Sequence, residues 1–126
     1  MPDEWKRLPM TVPFGANDGP IIPRPALTLP ALRQAVATVA PSRLPEFFEE
    51  LQDAFVRAGE EDSVVPIRMF YQRWGVVVEI ERYPATARRL HAAERRVDSA
   101  DPEARNQAVR EAGDIVRAAH REVAGG

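Results

Sequence analysis

Proline placement constrains this chain more than any other feature of its sequence. Five of the twelve prolines, Pro30, Pro45, Pro66, Pro84 and Pro102, stand at or just inside the start of segments whose apolar residues recur at spacings of three and four. Proline lacks an amide donor and holds φ near its helical value. It is therefore tolerated in the first turn of a helix and costly in a helix interior or a central strand. A chain punctuated in this way is expected to fold as a series of helices, each opened by its own proline.

The segments between the prolines follow suit. A first helix is predicted over Leu29–Val39, capped by Thr28, with Leu29, Leu32, Val36 and Val39 along one side and Pro41 ending it. Ser42 is placed to cap a second helix, which runs to about Ala58. Leu44, Phe47, Phe48, Leu51 and Phe55 form its apolar stripe, Glu46, Glu49, Glu50 and Asp53 lie opposite, and Gly59 is expected to be its left-handed terminator. From Pro66, residues Ile67, Phe70, Trp74, Val77 and Val78 again keep helical spacing. Gly75 and the run Val76–Val78 lower helix propensity there, so a short strand over 75–80 competes. The helix is preferred, because a single strand would leave its backbone groups unpaired. Pro84 opens a fourth helix to about Val97, with a thin apolar side of Ala87, Leu90 and Val97, and Asp101-Pro102-Glu103 opens a last one to about Val123.

The expected fold is all-α: a compact core of three to four helices over about Leu29–Val97, followed by a long C-terminal helix over about 102–123. Residues 28–126 are assigned to one helical domain, in keeping with a chain of 126 residues. Residues 1–27 hold six prolines and the turn-rich run GANDGPIIPRP, and are predicted to be a flexible arm. Trp5, Leu8, Met10, Val12 and Phe14 give that arm more apolar character than a linker needs, so docking on the body or on a partner is the other reading. No apolar run approaches the roughly 18 residues of a membrane span, and the first ten residues lack a secretory core. A cytoplasmic location is expected.

Catalysis finds little to work with. Cysteine is absent, which removes thiolate nucleophiles, disulfides and cysteine-held zinc. His91 and His120 fall on different helices, neither in a nucleophile setting, and His91 is expected at the surface. GANDGP lacks the strand, lysine and helix of a phosphate loop. The acids at 46, 49, 50 and 53 share a helical face but lack the Glu-x-x-His pair of a carboxylate-bridged metal site, so a solvated face is expected. On a helix, Glu79 and Glu81 point apart. No enzyme, metal site or cofactor is expected.

Charge is unevenly spread. Seven acids face one arginine between Glu46 and Asp62, whereas seven arginines face three glutamates between Val64 and Val97. Arg88, Arg89, Arg95 and Arg96 on the fourth helix are candidate contacts for an anion or nucleic acid. Pairing with the acidic second helix, or simple solvation, is the alternative. A net charge of −2 and the lack of aromatics among these arginines disfavour nucleic acid.

The last helix carries a seam at heptad spacing, Val109, Ala112, Val116, Ala119 and Val123, widened by Ala108 and Ile115. Alanine and valine bury little area, so this helix needs a partner, and the seam is the candidate surface for binding another protein or a second copy. The aromatics Phe70, Tyr71 and Trp74 are assigned to the core with Phe47, Phe48 and Phe55; any left exposed would mark a partner groove.

Several of these motifs recur together elsewhere. Pro30-Ala31-Leu32-Arg33, Glu46-Phe47, Arg73-Trp74, Ile80-Glu81-Arg82, Pro84 and Arg88-Arg89-Leu90 resemble the pattern of a family of short uncharacterised helical proteins from actinobacteria. The likeness spans about Leu29–Arg96. Some members of that family are encoded beside RelE/ParE-type toxins, so the resemblance implies an antitoxin-like role and carries no catalytic residue. The expected function is a non-catalytic interaction module acting through its C-terminal helix. A DNA-binding regulator using the arginine-rich helix is the alternative, and a small enzyme or ligand-binding bundle comes third.

Overall fold

The computed structural model describes residues 19–125. Trp5, Leu8, Met10, Val12 and Phe14 lie outside the described residues. Among the described residues the fold is all-α, with five helices: α1 (Leu29–Val39), α2 (Leu44–Glu61), α3 (Val65–Glu81), α4 (Pro84–Arg96) and α5 (Pro102–Gly125). Each opens on the predicted proline. No helix among them is long and apolar enough to cross a membrane.

The central element is α3, which packs against all four other helices. Phe70, Trp74 and Val78, spaced by four, face α1 and α2 and meet Leu32, Val36, Phe47 and Ala54. Val76 and Ile80 face the other way, against Ala87 and Leu90 of α4 and Ile115 and Ala119 of α5. The β-branched residues that made a strand conceivable thus serve two cores at once. Burial at about 25 cal/mol per Å² outweighs propensity penalties of a few tenths of a kcal/mol each. Phe47 is the aromatic hub of the first core, with ring centroids 5.1 Å from Phe70 and 5.2 Å from Trp74, the latter edge-to-face.

Helix ends show where local cues succeed and fail. The Thr28 hydroxyl accepts from the Ala31 amide at 3.4 Å, as expected of a cap. Ser42 does not cap α2; it lies in a 3₁₀ turn over Pro41–Arg43 that leads straight into the helix. Nor does Gly59 end α2. The helix continues to Glu61, and Asp62 takes the left-handed conformation at φ 51° and ψ 51°. Aspartate tolerates that region, and Ser63 closes the turn by donating its amide to the Ala58 carbonyl at 3.1 Å.

The segment before α1 is bound to the body, so the mobile arm predicted over 1–27 does not extend through residues 19–27. The Ile21 amide donates to the Arg82 carbonyl at 2.8 Å, and Arg82 Nη1 donates to the Ile22 carbonyl at 3.1 Å. Arg24 pairs with Glu79 at 3.0 Å and with Glu122 of α5 at 3.1 Å. A Cβ at Gly75 would stand 2.8 Å from Leu27 Cδ2 and 3.4 Å from Val123 Cγ1. Glycine on α3 therefore lets this segment and α5 approach the same helix turn.

Candidate functional site

Three of the neighbouring helices, α1, α2 and α5, leave one arc of α3 uncovered. Met69 and Arg73 are exposed on it and Val77 is half-buried, and with the edges of the buried Val76 and Ile80 they form the floor of a groove of about 710 Å³. Arg43 stands on the α2 side. Val116 and His120 of α5 form the opposite wall, and Leu90, His91 and Glu94 of α4 close one end. The floor is mostly apolar and the rim is charged, the usual make-up of a binding cleft.

One rim is a locked lattice of charges. Arg73 donates through Nε to Glu50 at 2.7 Å and through Nη2 to Glu46 at 3.3 Å. Arg43 holds the other side of Glu46 at 3.0 Å, and the Trp74 indole donates to Glu50 at 3.0 Å. Both guanidinium groups also lie against the Trp74 ring, with Cζ 5.0 and 5.8 Å from its centroid. The bond from Arg43 holds the Glu46 carboxyl below the ordinary range, and the bond to Glu50 raises the Arg73 guanidinium. The acidic face of α2, expected to be solvated, is therefore half committed: Glu46 and Glu50 pair inward, while Glu49 and Asp53 stay exposed.

At the far end, His91 bridges two acids. Its Nε2 lies 2.8 Å from Glu81 Oε2 and its Nδ1 lies 3.2 Å from Glu94 Oε1. Only the doubly protonated ring donates to both. Glu81 and Glu79 point to different sides of α3, as their two-residue spacing requires. Glu79 is buried and receives Arg24 and Arg82, the latter at 2.9 Å. Burial raises its carboxyl, but the bonds from the two arginines outweigh this and leave it below the ordinary carboxylate value. Among the described residues, no three His, Asp or Glu side chains are placed to hold a metal ion.

The predicted partner seam is largely occupied within the chain. Ala119 is buried, and Ala112, Val116 and Val123 pack on the second core, while Val109 alone is open, at 54 % exposure. Ala108 and Ile115, assigned only to widen the seam, are buried. The physical reason is packing at home: the seam meets Val76 and Ile80 of α3 and Ala87 and Leu90 of α4, and Gly75 admits Val123. The four arginines of α4 are exposed but divide in two. Arg89 and Arg96 pair with Glu111 of α5, at 3.4 and 2.8 Å, rather than with the acidic second helix. Arg88 and Arg95 form no ion pair among the described residues.

Sequence reasoning missed the groove, because it is defined by which arc of α3 remains uncovered. The signal that could have found it is the pair Met69 and Val76, apolar, seven residues apart and off the Phe70–Trp74–Val78 line. Comparison with family models, curated proteins and solved structures finds no match for the chain.

Proposed function

We propose that this protein is a non-catalytic interaction module that seats an amphipathic helical segment of a partner protein in the groove along α3. The observation that carries the reading is a groove with an apolar base, led by the exposed Met69, on the one helix that every other helix packs against. From Met69 to Ile80 that floor runs about 16 Å at 1.5 Å per residue, the length of three turns of a docked helix. The locked Arg43–Glu46–Arg73–Glu50 lattice gives the groove a stiff wall, which limits the ordering cost of binding.

The resemblance to proteins encoded beside RelE/ParE-type toxins supports an antitoxin-like role in the cytoplasm, with the partner a protein of that type. The binding surface is then the α3 groove rather than the α5 seam, most of whose residues are already packed. A nucleic-acid role gains no support from α4, where Glu111 engages two of the four candidate arginines.

Co-expression with the protein encoded by the adjacent gene tests the reading, with complex formation measured by light scattering. Met69 and His120 are exposed, so Met69→Glu and His120→Glu leave the fold intact while placing charge in the groove. The expected result is a complex that these two variants weaken at least tenfold. A complex unaffected by both, or no complex, rejects the groove.

A further inference from the structure

A second surface stands apart from the groove, on the outward side of α2. Phe48 and Phe55 are 46 % and 57 % exposed and lie a heptad apart, so their rings form one line about 10 Å long. Val56, also exposed, lies across the helix face from them. Between these two edges runs a strip made of Gln52 and Gly59.

Gly59 is the informative residue. It sits inside a helix, where glycine is the poorest former after proline, and it has no left-handed φ to justify it, since Asp62 provides the turn. A Cβ placed on it would meet nothing within 4 Å. The fold of this chain does not call for a glycine there. A helix laid along the strip would, because a missing side chain lets two helix backbones approach closely.

Charge then selects the occupant. Three acids of α2 are paired: Glu46 with Arg43 and Arg73, Glu50 with Arg73, and Glu61 with Arg57. The outward row of Glu49, Asp53 and Glu60, beside Val56, forms no ion pair among the described residues. Three unpaired carboxylates repel a nucleic-acid backbone and an anionic bilayer, and meet a second copy of the same face with like charge.

We infer that the Phe48–Gly59–Phe55 face of α2 docks a basic amphipathic helix of a partner protein, with that helix's apolar ridge on the two phenylalanines and its lysines or arginines over Glu49, Asp53 and Glu60. This site is separate from the α3 groove and stands on different residues.

The probe is a synthetic helical peptide with leucines at heptad spacing and lysines along one flank, titrated onto the full chain and followed by fluorescence anisotropy. A control peptide has glutamates in place of the lysines. The lysine peptide is expected to bind and to weaken as salt rises, and the glutamate peptide is not. Phe55→Ala should weaken binding about tenfold or more, as should Gly59→Leu. Leucine is a better helix former than glycine, so Gly59→Leu puts no strain on folding. His120→Glu, on the far wall of the groove, should leave this binding unchanged. Equal binding of both peptides, no binding, indifference to Gly59→Leu, or a self-associated chain that Gly59→Leu makes monomeric would each overturn the inference.

Discussion

Glu79→Gln should be the most damaging single polar substitution in this protein. The Glu79 and Arg82 side chains are each 6 % exposed, and the carboxylate receives two bonds from Arg82 and two from Arg24. Glutamine keeps the shape but removes the charge, leaving the Arg82 guanidinium buried without a counter-ion. Breaking a buried pair from one side costs about 3–5 kcal/mol, against the roughly 5–15 kcal/mol that holds a domain together. With an unfolding entropy of about 2.1 cal/mol/K per residue over residues 19–125, the Tm falls by roughly 13–22 °C.

Two companion variants separate charge burial from loss of contact. Arg24 is 33 % exposed, so Arg24→Ala should cost much less than Glu79→Gln. The double variant Glu79→Met, Arg82→Met removes both buried charges and should recover most of the loss. Urea unfolding at neutral pH, followed by helical circular dichroism, measures all three. A Glu79→Gln loss below about 1 kcal/mol, or a double variant worse than the single one, would refute the claim that uncompensated charge is what destabilises.

Acid should weaken the same network. Glu79 and Glu46 are both held below the ordinary value of 4.5, so their contribution is complete above that value and lost as pH falls through their lowered ones. Tm is expected to stay level from pH 7 to about 5 and then drop, with a shallower drop in Glu79→Gln; an unchanged acid limb in that variant would contradict the assignment. At Gly75, leucine should cost about 1–3 kcal/mol by overpacking against Leu27 and Val123. Alanine there should stay near wild type, because a gain in helix propensity of about 1 kcal/mol offsets turning the Leu27 side chain. Thermal melts of the two variants check this.

The helices were legible because proline and the three-to-four spacing act within a turn or two. Thr28 was legible for the same reason. Ser42 and Gly59 misled because each has the right chemistry for a helix end, yet the observed ends depend on how α1 hands over to α2 and where Asp62 falls. The α5 seam was visible as a surface needing a partner, but not as a surface whose partners are α3 and α4. That pairing joins residues such as Gly75 and Val123, far apart in the chain. Arg24 and Glu79 are likewise 55 residues apart, beyond any periodicity. The groove, being a remainder after packing, leaves in the sequence only Met69 and Val76 standing off the main apolar line.

The prolines that open the helices also decide what the chain cannot become. Helical proteins exchange elements between copies when a corner straightens and two helices merge into one. Here each junction carries a proline, and Tyr83 at the α3–α4 corner is held extended, at φ −110° and ψ 97°. Merging α3 with α4 would set Pro84 against the carbonyl four residues earlier and force Tyr83 into a conformation that the proline ring disfavours. Domain-swapped dimers by helix fusion are thereby closed off at this corner, and replacing Pro84 with alanine would reopen that route.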